Sequence, residues 1–308
     1  MGRYVARRLL QMIPVFLGTT FLIFYMVYAL PGDPIRALWG EKAADPAQVA
    51  ALRHQYGLDL PLWHQYWDYL VKLVHFDFGS TYTGRPVSDS MAIAFPATLR
   101  LTMVAFVIEV VLGIGLGVLA GLRAKRFVDN MVMVFTLLVI SIPVFVLAYV
   151  LREVFATNLG WVTPSVQDDT NFSQLLLPGF VLATLSLAYV ARLSRTSIVE
   201  NLRADYMRTA VAKGLPRRRV VGVHLMRNSL IPVVTFLGTD LGALMGGAIV
   251  TEGIFNVQGV GNLLYQGLTR REGATVVGVV TVIVLVFLIT SLLVDLLYAV
   301  LDPRIRYA

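Results

Sequence analysis

Few side chains of this 308-residue chain combine the types and spacing that covalent chemistry requires. The chain has no cysteine, which excludes a thiolate nucleophile, a thiolate metal site and a disulfide framework. No histidine lies inside an apolar run or in an HExxH pattern, so an intramembrane metalloenzyme is disfavoured. Serines do occur in or near apolar runs, but no histidine accompanies them, and a hydrolase dyad is poorly supported. These serines are Ser141, Ser186 and Ser291.

The chain also lacks the sequence that cradles nucleotide phosphates. The pattern G-x-x-x-x-G-K-[ST] needs a lysine directly after a glycine, and none of the four lysines has that neighbour. They are Lys42, Lys72, Lys125 and Lys213. We therefore expect no ATP hydrolysis by this chain itself.

Carboxyl groups inside apolar runs are the remaining chemical candidates. Asp240 and Glu252 lie in the glycine-rich run "PVVTFLGTDLGALMGGAIVTEGIF", and Glu109 lies in an earlier one. Ionisable residues in membrane spans face the protein interior or a watery cavity. Asp240, Glu109 and Glu252, with Gly242 and Gly246, are thus candidates for lining a polar path. Interhelical contacts explain the acids equally well, and Glu252 lies near enough to one end to be solvated.

Six apolar runs are long enough to cross a bilayer as helices. Hydrophobic residues make up 57% of the chain and charged residues 15%, which is typical of a membrane protein. The runs are Leu9–Leu30, Ala97–Leu122, Met131–Phe155, Leu175–Leu193, Leu230–Phe255 and Val276–Val300. The glycines of the fifth run, Gly238, Gly242, Gly246 and Gly247, predict close helix packing. The fold class predicted is an all-α integral membrane protein with six transmembrane helices.

The distribution of basic residues predicts that both termini are cytoplasmic. Lys and Arg concentrate before the first run, after the second, between the fourth and fifth, and after the sixth, and cytoplasmic loops carry such an excess. Residues 31–96 hold five basic and seven acidic side chains, and all four tryptophans fall on that side. The first run is longer than a signal-peptide core, which predicts a retained anchor in a plasma or inner membrane.

Residues 31–96 carry the punctuation of a helical extracytoplasmic loop. Asp45 can cap a helix whose first position is Pro46 and whose end is marked by Gly57. A second helix follows in "PLWHQYWDYLVKLVHF", where apolar and aromatic side chains recur at spacings of three and four. They are Trp63, Tyr66, Trp67, Leu70, Val71 and Val74. This face could pack on neighbouring spans, lie on the membrane surface or dock a substrate-delivering protein.

Residues 194–229 form the most basic segment and predict a cytoplasmic loop. Nine basic residues lie between Arg192 and Arg227, and arginine is costly in lipid. The sequence predicts a short helix with Asp205 and Thr209 as possible caps, a break at Gly214 and Pro216, and a basic helix from Arg217 toward Asn228. Topology determination or attraction to anionic lipid explains the charge. Neither explains the small residues Ala210, Ala212 and Gly214, which would let another protein approach the backbone.

The stretch "DYMRTAVAKGLPRRRVVGVHLMRNSLIPVV" resembles the EAA loop of ABC transporter permeases for dipeptides and oligopeptides, a family that includes nickel permeases. Thr209, Ala210, Lys213 and Gly214 match its "TA..KG" core, and His224 begins the following "H..RN.LIP" segment. Further matches are "LPGDP", "YGLDLPLWHQY", "FGSTYTGRPV", "SIPVF" and "GNLL", in the family's order over nearly the whole chain. Arg208 stands where the wider permease consensus has an acidic residue, and this favours the peptide branch. The stretches "HFDFG" and "RREGATVVG" depart from the pattern of the peptide family.

This resemblance implies a single permease domain, residues 1–308, like those of type I ABC importers. It implies four kinds of partner: a second similar permease, two ATPase subunits that carry ATP and magnesium, an extracytoplasmic substrate-binding protein and the lipid bilayer, with no nucleic acid. The loop 194–229 would supply the coupling helix to the ATPases. Its coupling residues would be Asp205, Thr209, Ala210, Lys213, Gly214, Arg217, Arg218 and Arg219. No metal or cofactor is expected in this chain.

Rival classes remain open at this stage. A secondary transporter predicts two related halves with interrupted helices, and we find no convincing internal repeat. A channel predicts a charged ring or filter motif, and none is present in the sequence. Within the family, dipeptide, longer peptide and nickel are not distinguished by the sequence.

Overall fold

A computed structural model describes residues 2–29, 35 and 45–301 of the chain. Within these ranges the regular secondary structure is helical, apart from one isolated bridge between Ser80 and Pro86. The "LPGDP" motif at Leu30–Pro34, Trp39 and the C-terminal Arg304 and Arg306 lie outside the described residues.

Twelve helices in chain order account for the described ranges. They are α1 (Gly2–Ala29), α2 (Pro46–Gln55), α3 (Leu62–Val74), α4 (Val87–Leu122), α5 (Phe127–Ser141), α6 (Val144–Asn158), α7 (Phe172–Leu202), α8 (Asp205–Ala212), α9 (217–229), α10 (Ile231–Phe255), α11 (Val260–Thr269) and α12 (Gly273–Leu301). Three of them contain a π-helical turn: Glu109–Gly113 in α4, Glu153–Asn158 in α6 and Val220–Leu225 in α9.

Five described helices are long and apolar enough to cross a membrane singly, namely α1, α4, α7, α10 and α12. The predicted third span differs, because α5 and α6 are joined at an angle of 103°. Ile142 has extended backbone angles, and Pro143 follows it without an N–H to donate. The prediction of one continuous helix over Met131–Phe155 was therefore wrong, while α5 and α6 counted as one broken span give six.

The described chain divides into two compact units. The first comprises the described residues up to Thr98 together with Gln258–Ile289, and the second comprises Leu99–Val257 and the described residues from Thr290 onward. The predicted helical loop belongs to the first unit. Its punctuation is confirmed, since the Asp45 carboxylate accepts a hydrogen bond from Ala47 N at 3.0 Å and Gly57 has a φ of +65° just past α2.

Helix α3 packs one edge of its aromatic face on α1 in the first unit. The Tyr66 hydroxyl donates to Leu17 O at 3.0 Å, and its ring meets Phe21 edge-on at 5.3 Å. Trp63 and Trp67 are about two-thirds exposed, Val74 is mostly exposed and Val71 is about half exposed. The predicted single face is thus divided into a packed edge and an exposed stripe.

The sequence "FGSTYTGRPV" folds into a tight hairpin turn in the same unit. Thr81 N donates to Arg85 O at 2.9 Å, and Val87 N donates to Gly79 O at 3.0 Å. Gly79 and Gly84 have φ values of +84° and +79°, a region that glycine adopts without strain. This turn delivers the chain into α4.

In the second unit, α4 and α7 approach each other through small residues. Gly113, Gly117 and Gly121 lie four residues apart, and a Cβ on any of them would come within 2.8 Å of α7 atoms. The close packing predicted for the fifth span is found at Gly238, where a Cβ would lie 3.0 Å from Val294 of α12, but not at Gly246, where it would meet nothing within 4 Å. Glycine-mediated approach therefore belongs mainly to α4.

Candidate functional site

The predicted coupling loop folds as a compact helical hairpin. We call residues 203–229 the basic hairpin; it consists of α8, a short turn and α9. This confirms the predicted order of short helix, turn and basic helix. It also confirms the helical prediction for Arg195–Asn201, which lie in the last turns of α7.

The inner side of the basic hairpin has its own apolar core. Ile198 of α7 packs with Met207, Ala210, Val220 and Leu225, and each of these side chains is at most 5% exposed. At the end of α9, the Ser229 hydroxyl lies 3.5 Å from Ser197 O, on α7. The hairpin is therefore held on α7 as a packed element.

Ala210 was expected to let a partner approach the backbone, and the structure corrects this. It is 5% exposed, and its methyl group lies inside the core of the hairpin. A small residue is needed there because α8 and α9 pack closely. Of the small residues, Ala212 and Gly214 remain on the exposed side.

The predicted capping roles of Asp205 and Thr209 were also wrong. The N-cap residue of α8 is Ala204, which makes no side-chain bond, and Asp205 is the first helical residue. Its negative charge there is favourable to the helix dipole. Thr209 lies in mid-helix, where its hydroxyl donates to Asp205 O at 3.0 Å.

The turn between the two helices depends on Gly214. Its φ is +71°, and a Cβ placed on it would meet no atom within 4 Å. Gly214 N donates to Val211 O at 2.9 Å, and Leu215 N donates to Ala210 O at 3.3 Å, which closes α8. Any side chain at Gly214 would therefore project into open space, and a side chain such as Leu would also incur backbone strain.

The charged side chains of the hairpin are almost all basic. Seven basic and one acidic side chain lie between 203 and 229. Exposed members include Lys213, Arg217, Arg218 and Arg219 around the turn. The 3.5 Å ion pair of Asp205 with Arg208 is exposed on both sides and adds little stability. The predicted residues Asp205, Thr209, Lys213, Gly214 and the three arginines thus share one exposed surface, from which Ala210 is absent.

An ion pair that the sequence reasoning missed joins α5 to α7 near this hairpin. Arg195 donates to Asp129 through Nε at 3.0 Å and through a terminal nitrogen at 2.8 Å. Lys125 N donates to the same carboxylate at 2.7 Å, and the Asp129 side chain is 2% exposed. The two residues are 66 positions apart, so sequence spacing gave no signal for this pair.

Two of the predicted intramembrane acids face each other in the second unit. Glu109, at the start of the π-helical turn in α4, is fully buried, and its carboxyl group interacts electrostatically with that of Asp240 in α10. Asp240 also lies beside the Ser186 hydroxyl of α7. Both carboxyl oxygens of Glu109 and one of Asp240 are buried without a partner at hydrogen-bond distance and angle among the described residues. We call Glu109 and Asp240 the carboxyl pair.

Glu252 and the path glycines Gly242 and Gly246 also lie on α10. Glu252 is fully buried, so the expectation that it is simply solvated was wrong. Its backbone carbonyl accepts from Val257 N at 3.0 Å where α10 ends. Gly242 is buried and Gly246 is partly exposed.

The comparisons with known proteins agree with this architecture. Residues 113–307 match the family described as "Binding-protein-dependent transport system inner membrane component", and residues 1–102 match its N-terminal domain. The chain belongs to this family. The permease is 40% identical over 308 residues, all of both chains, to the "Glutathione transport system permease protein GsiC" of Escherichia coli (strain K12). The same protein of Shigella dysenteriae serotype 1 (strain Sd197) matches to the same extent.

This membership makes the chain a membrane permease subunit of an ABC importer in the peptide and nickel group. The all-helical architecture with several candidate spans is the one expected for that family. Within the described residues of the permease, no cluster of three or more metal-ligating side chains is present. The candidate sites are therefore the basic hairpin and the carboxyl pair.

Proposed function

We propose that this permease imports short peptides across the plasma or inner membrane, driven by ATP hydrolysis on two separate ATPase subunits. A second similar permease would complete the path, and an extracytoplasmic binding protein would deliver the peptide. The relatives named above are glutathione permeases, and glutathione is itself a tripeptide. This supports a peptide of a few residues as substrate.

The observation that carries the proposal is the packed base and exposed turn of the basic hairpin. Met207, Val220 and Leu225 fix the hairpin on Ile198 of α7, so a push on its outer surface moves α7 with it. A partner shifts two conformations only through a difference in its affinity for them. We infer that the ATPases bind the exposed turn around Gly214 differently in the inward and outward states.

The ion pair of Asp129 with Arg195 extends this connection. It ties α5 to α7 three residues before Ile198, the α7 member of the hairpin core. Displacement of the hairpin would therefore reach α5 as well as α7. ATP and magnesium belong to the partner subunits in this proposal.

Membrane orientation is part of the same proposal, with both termini cytoplasmic and Pro31–Pro96 outside. Ser80→Cys lies at an exposed position of the first unit, and Ala212→Cys lies at an exposed position of the basic hairpin. In this cysteine-free chain, an impermeant maleimide applied to intact cells should label the first variant and not the second. Position 197, also in the predicted cytoplasmic loop, is unsuitable because Ser197 is 7% exposed.

The function is tested with the complete complex in proteoliposomes. We expect ATP-dependent uptake of labelled trialanine and glutathione that requires the binding protein. Uptake of a nickel chelate without uptake of either peptide would overturn the peptide proposal while leaving the permease family unchanged.

A further inference from the structure

The first unit contains a cavity that is separate from the basic hairpin and the carboxyl pair, which both belong to the second unit. Its volume is about 500 Å³, within the range of small-molecule sites. Its lining comes from α1, the end of α2, α3, the glycine-rich hairpin turn and the start of α12. By the predicted orientation, it lies on the extracytoplasmic side.

Aromatic rings form much of the wall of this cavity. Phe24 contacts Tyr28 at 4.5 Å and Tyr69 at 5.7 Å between ring centroids, and Tyr56 meets Tyr82 edge-on at 5.4 Å. The Tyr69 hydroxyl lies 2.7 Å from the Thr281 hydroxyl, and burial raises the pKa of Tyr69 to about 12. The ring is thus neutral at physiological pH. Faces of such rings attract organic cations.

Acidic side chains outnumber basic ones around the same space. Asp68, Asp77 and Glu272 line the cavity, with Lys72 as the one lysine in the lining that the structure describes. Asp77 accepts from Gly79 N at 2.8 Å, and Glu272 accepts from the Thr275 hydroxyl at 3.1 Å. A carboxylate has about four acceptor positions, so both retain capacity for a ligand. Asp68 is exposed to the cavity's solvent.

Rings and carboxylates together select for one class of ligand. A divalent metal is not favoured, since no described cluster of three ligating side chains exists. An anion is not favoured either, because three carboxylates outnumber Lys72 and His54 in the lining. A primary ammonium group suits both features, because it can donate three hydrogen bonds and can lie over a ring face.

We propose that this cavity binds the N-terminal ammonium group of a short peptide before the peptide enters the membrane path. This deepens the proposed peptide import and rests on it. A cavity of this size accommodates a peptide of a few residues, and Lys72 is placed one helical turn from Asp68, where it can attract the carboxylate end.

Saturation-transfer difference NMR tests this inference with the assembled complex in phosphatidylglycerol nanodiscs, which contain no lipid amine. The probes are trialanine, N-acetyltrialanine and n-propylammonium, without binding protein. We expect transfer to trialanine and n-propylammonium but not to N-acetyltrialanine. Asp68→Asn should weaken trialanine binding about tenfold, as expected for losing one charged hydrogen-bond partner. The matched control Asp89→Asn, which removes an acid outside the cavity lining, should leave trialanine binding unchanged.

A second pair of variants tests the aromatic wall. Tyr82→Leu should weaken binding of n-propylammonium about fivefold, whereas Tyr82→Phe keeps the ring and should stay within about twofold. Equal transfer to trialanine and N-acetyltrialanine, or no effect of Asp68→Asn, would overturn the site. A third result would also overturn the site: trialanine shows no transfer, but Asp68→Asn needs a higher concentration of binding protein to reach normal uptake. The ammonium group bound by Asp68 would then belong to a lysine of the binding protein.

Failure of the site and failure of the proposed function give different results. Proteoliposomes that import trialanine equally well with and without Asp68 would contradict the cavity site and leave peptide import standing. Amine binding that depends on Asp68, in a complex that imports no peptide, would support the amine chemistry and reject the peptide function.

Discussion

The basic hairpin and the carboxyl pair treat ionisable side chains in opposite ways. In the hairpin, charges point outward around an apolar core, and the buried Asp129 nearby is bound by Arg195. In the carboxyl pair, Glu109 and Asp240 face each other without a described cation between them. Solvation or a partner stabilises the first arrangement, whereas the second retains polar groups whose hydrogen bonds are incomplete.

The basic hairpin is therefore a stable region, whereas the carboxyl pair can change its hydrogen-bond partners. The hairpin can act as a rigid body because its core is complete and its charges lie outside. The carboxyl pair can accept a new hydrogen bond when α4, α7 and α10 shift. The following changes test that contrast, from the largest expected effect to the smallest.

Removing Arg195 should have the largest effect on stability. Arg195→Ala leaves the Asp129 carboxylate 2% exposed without its cation, which costs about 3 kcal/mol when a buried pair is broken. SDS-titration unfolding of the purified permease measures this loss. Asp129→Asn in the Arg195→Ala background should recover part of the stability, because the buried charge is then gone. Equal stability of Arg195→Ala and wild type would show that the pair does not anchor α7.

Truncation inside the hairpin core should loosen the hairpin alone. Leu225 is fully buried, so Leu225→Ala should lower local stability by about 2–4 kcal/mol. Val223 on the same helix is half exposed, so Val223→Ala serves as the matched control, with an expected loss of local stability below about 1 kcal/mol. Hydrogen exchange of residues 203–229 measures both. Similar exchange rates in the two variants would contradict a packed hairpin.

The carboxyl pair should matter more for transport than for assembly. Asp240→Asn keeps the size of the side chain, replaces one oxygen acceptor with an NH2 donor and removes the acid that faces Glu109. We expect normal assembly with uptake lowered about threefold or more, measured in proteoliposomes. If the variant complex does not assemble, Asp240 is a packing contact and the comparison drawn above is wrong.

The exposed pair of His54 and Asp59 should have the smallest effect on stability. His54 Nδ1 donates a hydrogen bond to the Asp59 carboxylate at 2.9 Å, which raises the pKa of His54 and lowers that of Asp59. The pair therefore stabilises the loop above the lowered Asp59 pKa, and this contribution is lost as pH rises through the raised His54 pKa. NMR titration should show Asp59→Asn lowering the pKa of His54, and Asp89→Asn leaving it unchanged. An unchanged His54 titration in Asp59→Asn would reject the pair.

Local patterns predicted local structure well, because each depends on neighbouring residues. The cap at Asp45, the break at Gly214 and the helix Leu62–Val74 all follow from residues within a few positions. Long-range pairs were not predictable in this way. Asp129 and Arg195 meet across 66 positions, and Glu109 was a candidate without Asp240 being identified as its partner. The bend at Pro143 was missed because the apolar run continues through it.

The most direct test of the coupling role compares two side chains at Gly214. Its φ of +71° and the open space around it mean that Gly214→Asn, which tolerates this backbone region, adds bulk with little strain, whereas Gly214→Leu adds bulk and strain. Both variants keep every basic residue. ATP-driven trialanine uptake and ATPase activity stimulated by the loaded binding protein are measured on assembled complexes. The coupling account predicts that Gly214→Leu inserts and assembles while both activities fall about tenfold, with Gly214→Asn retaining more of each. An assembled Gly214→Leu complex with wild-type uptake and stimulated ATPase activity would contradict it.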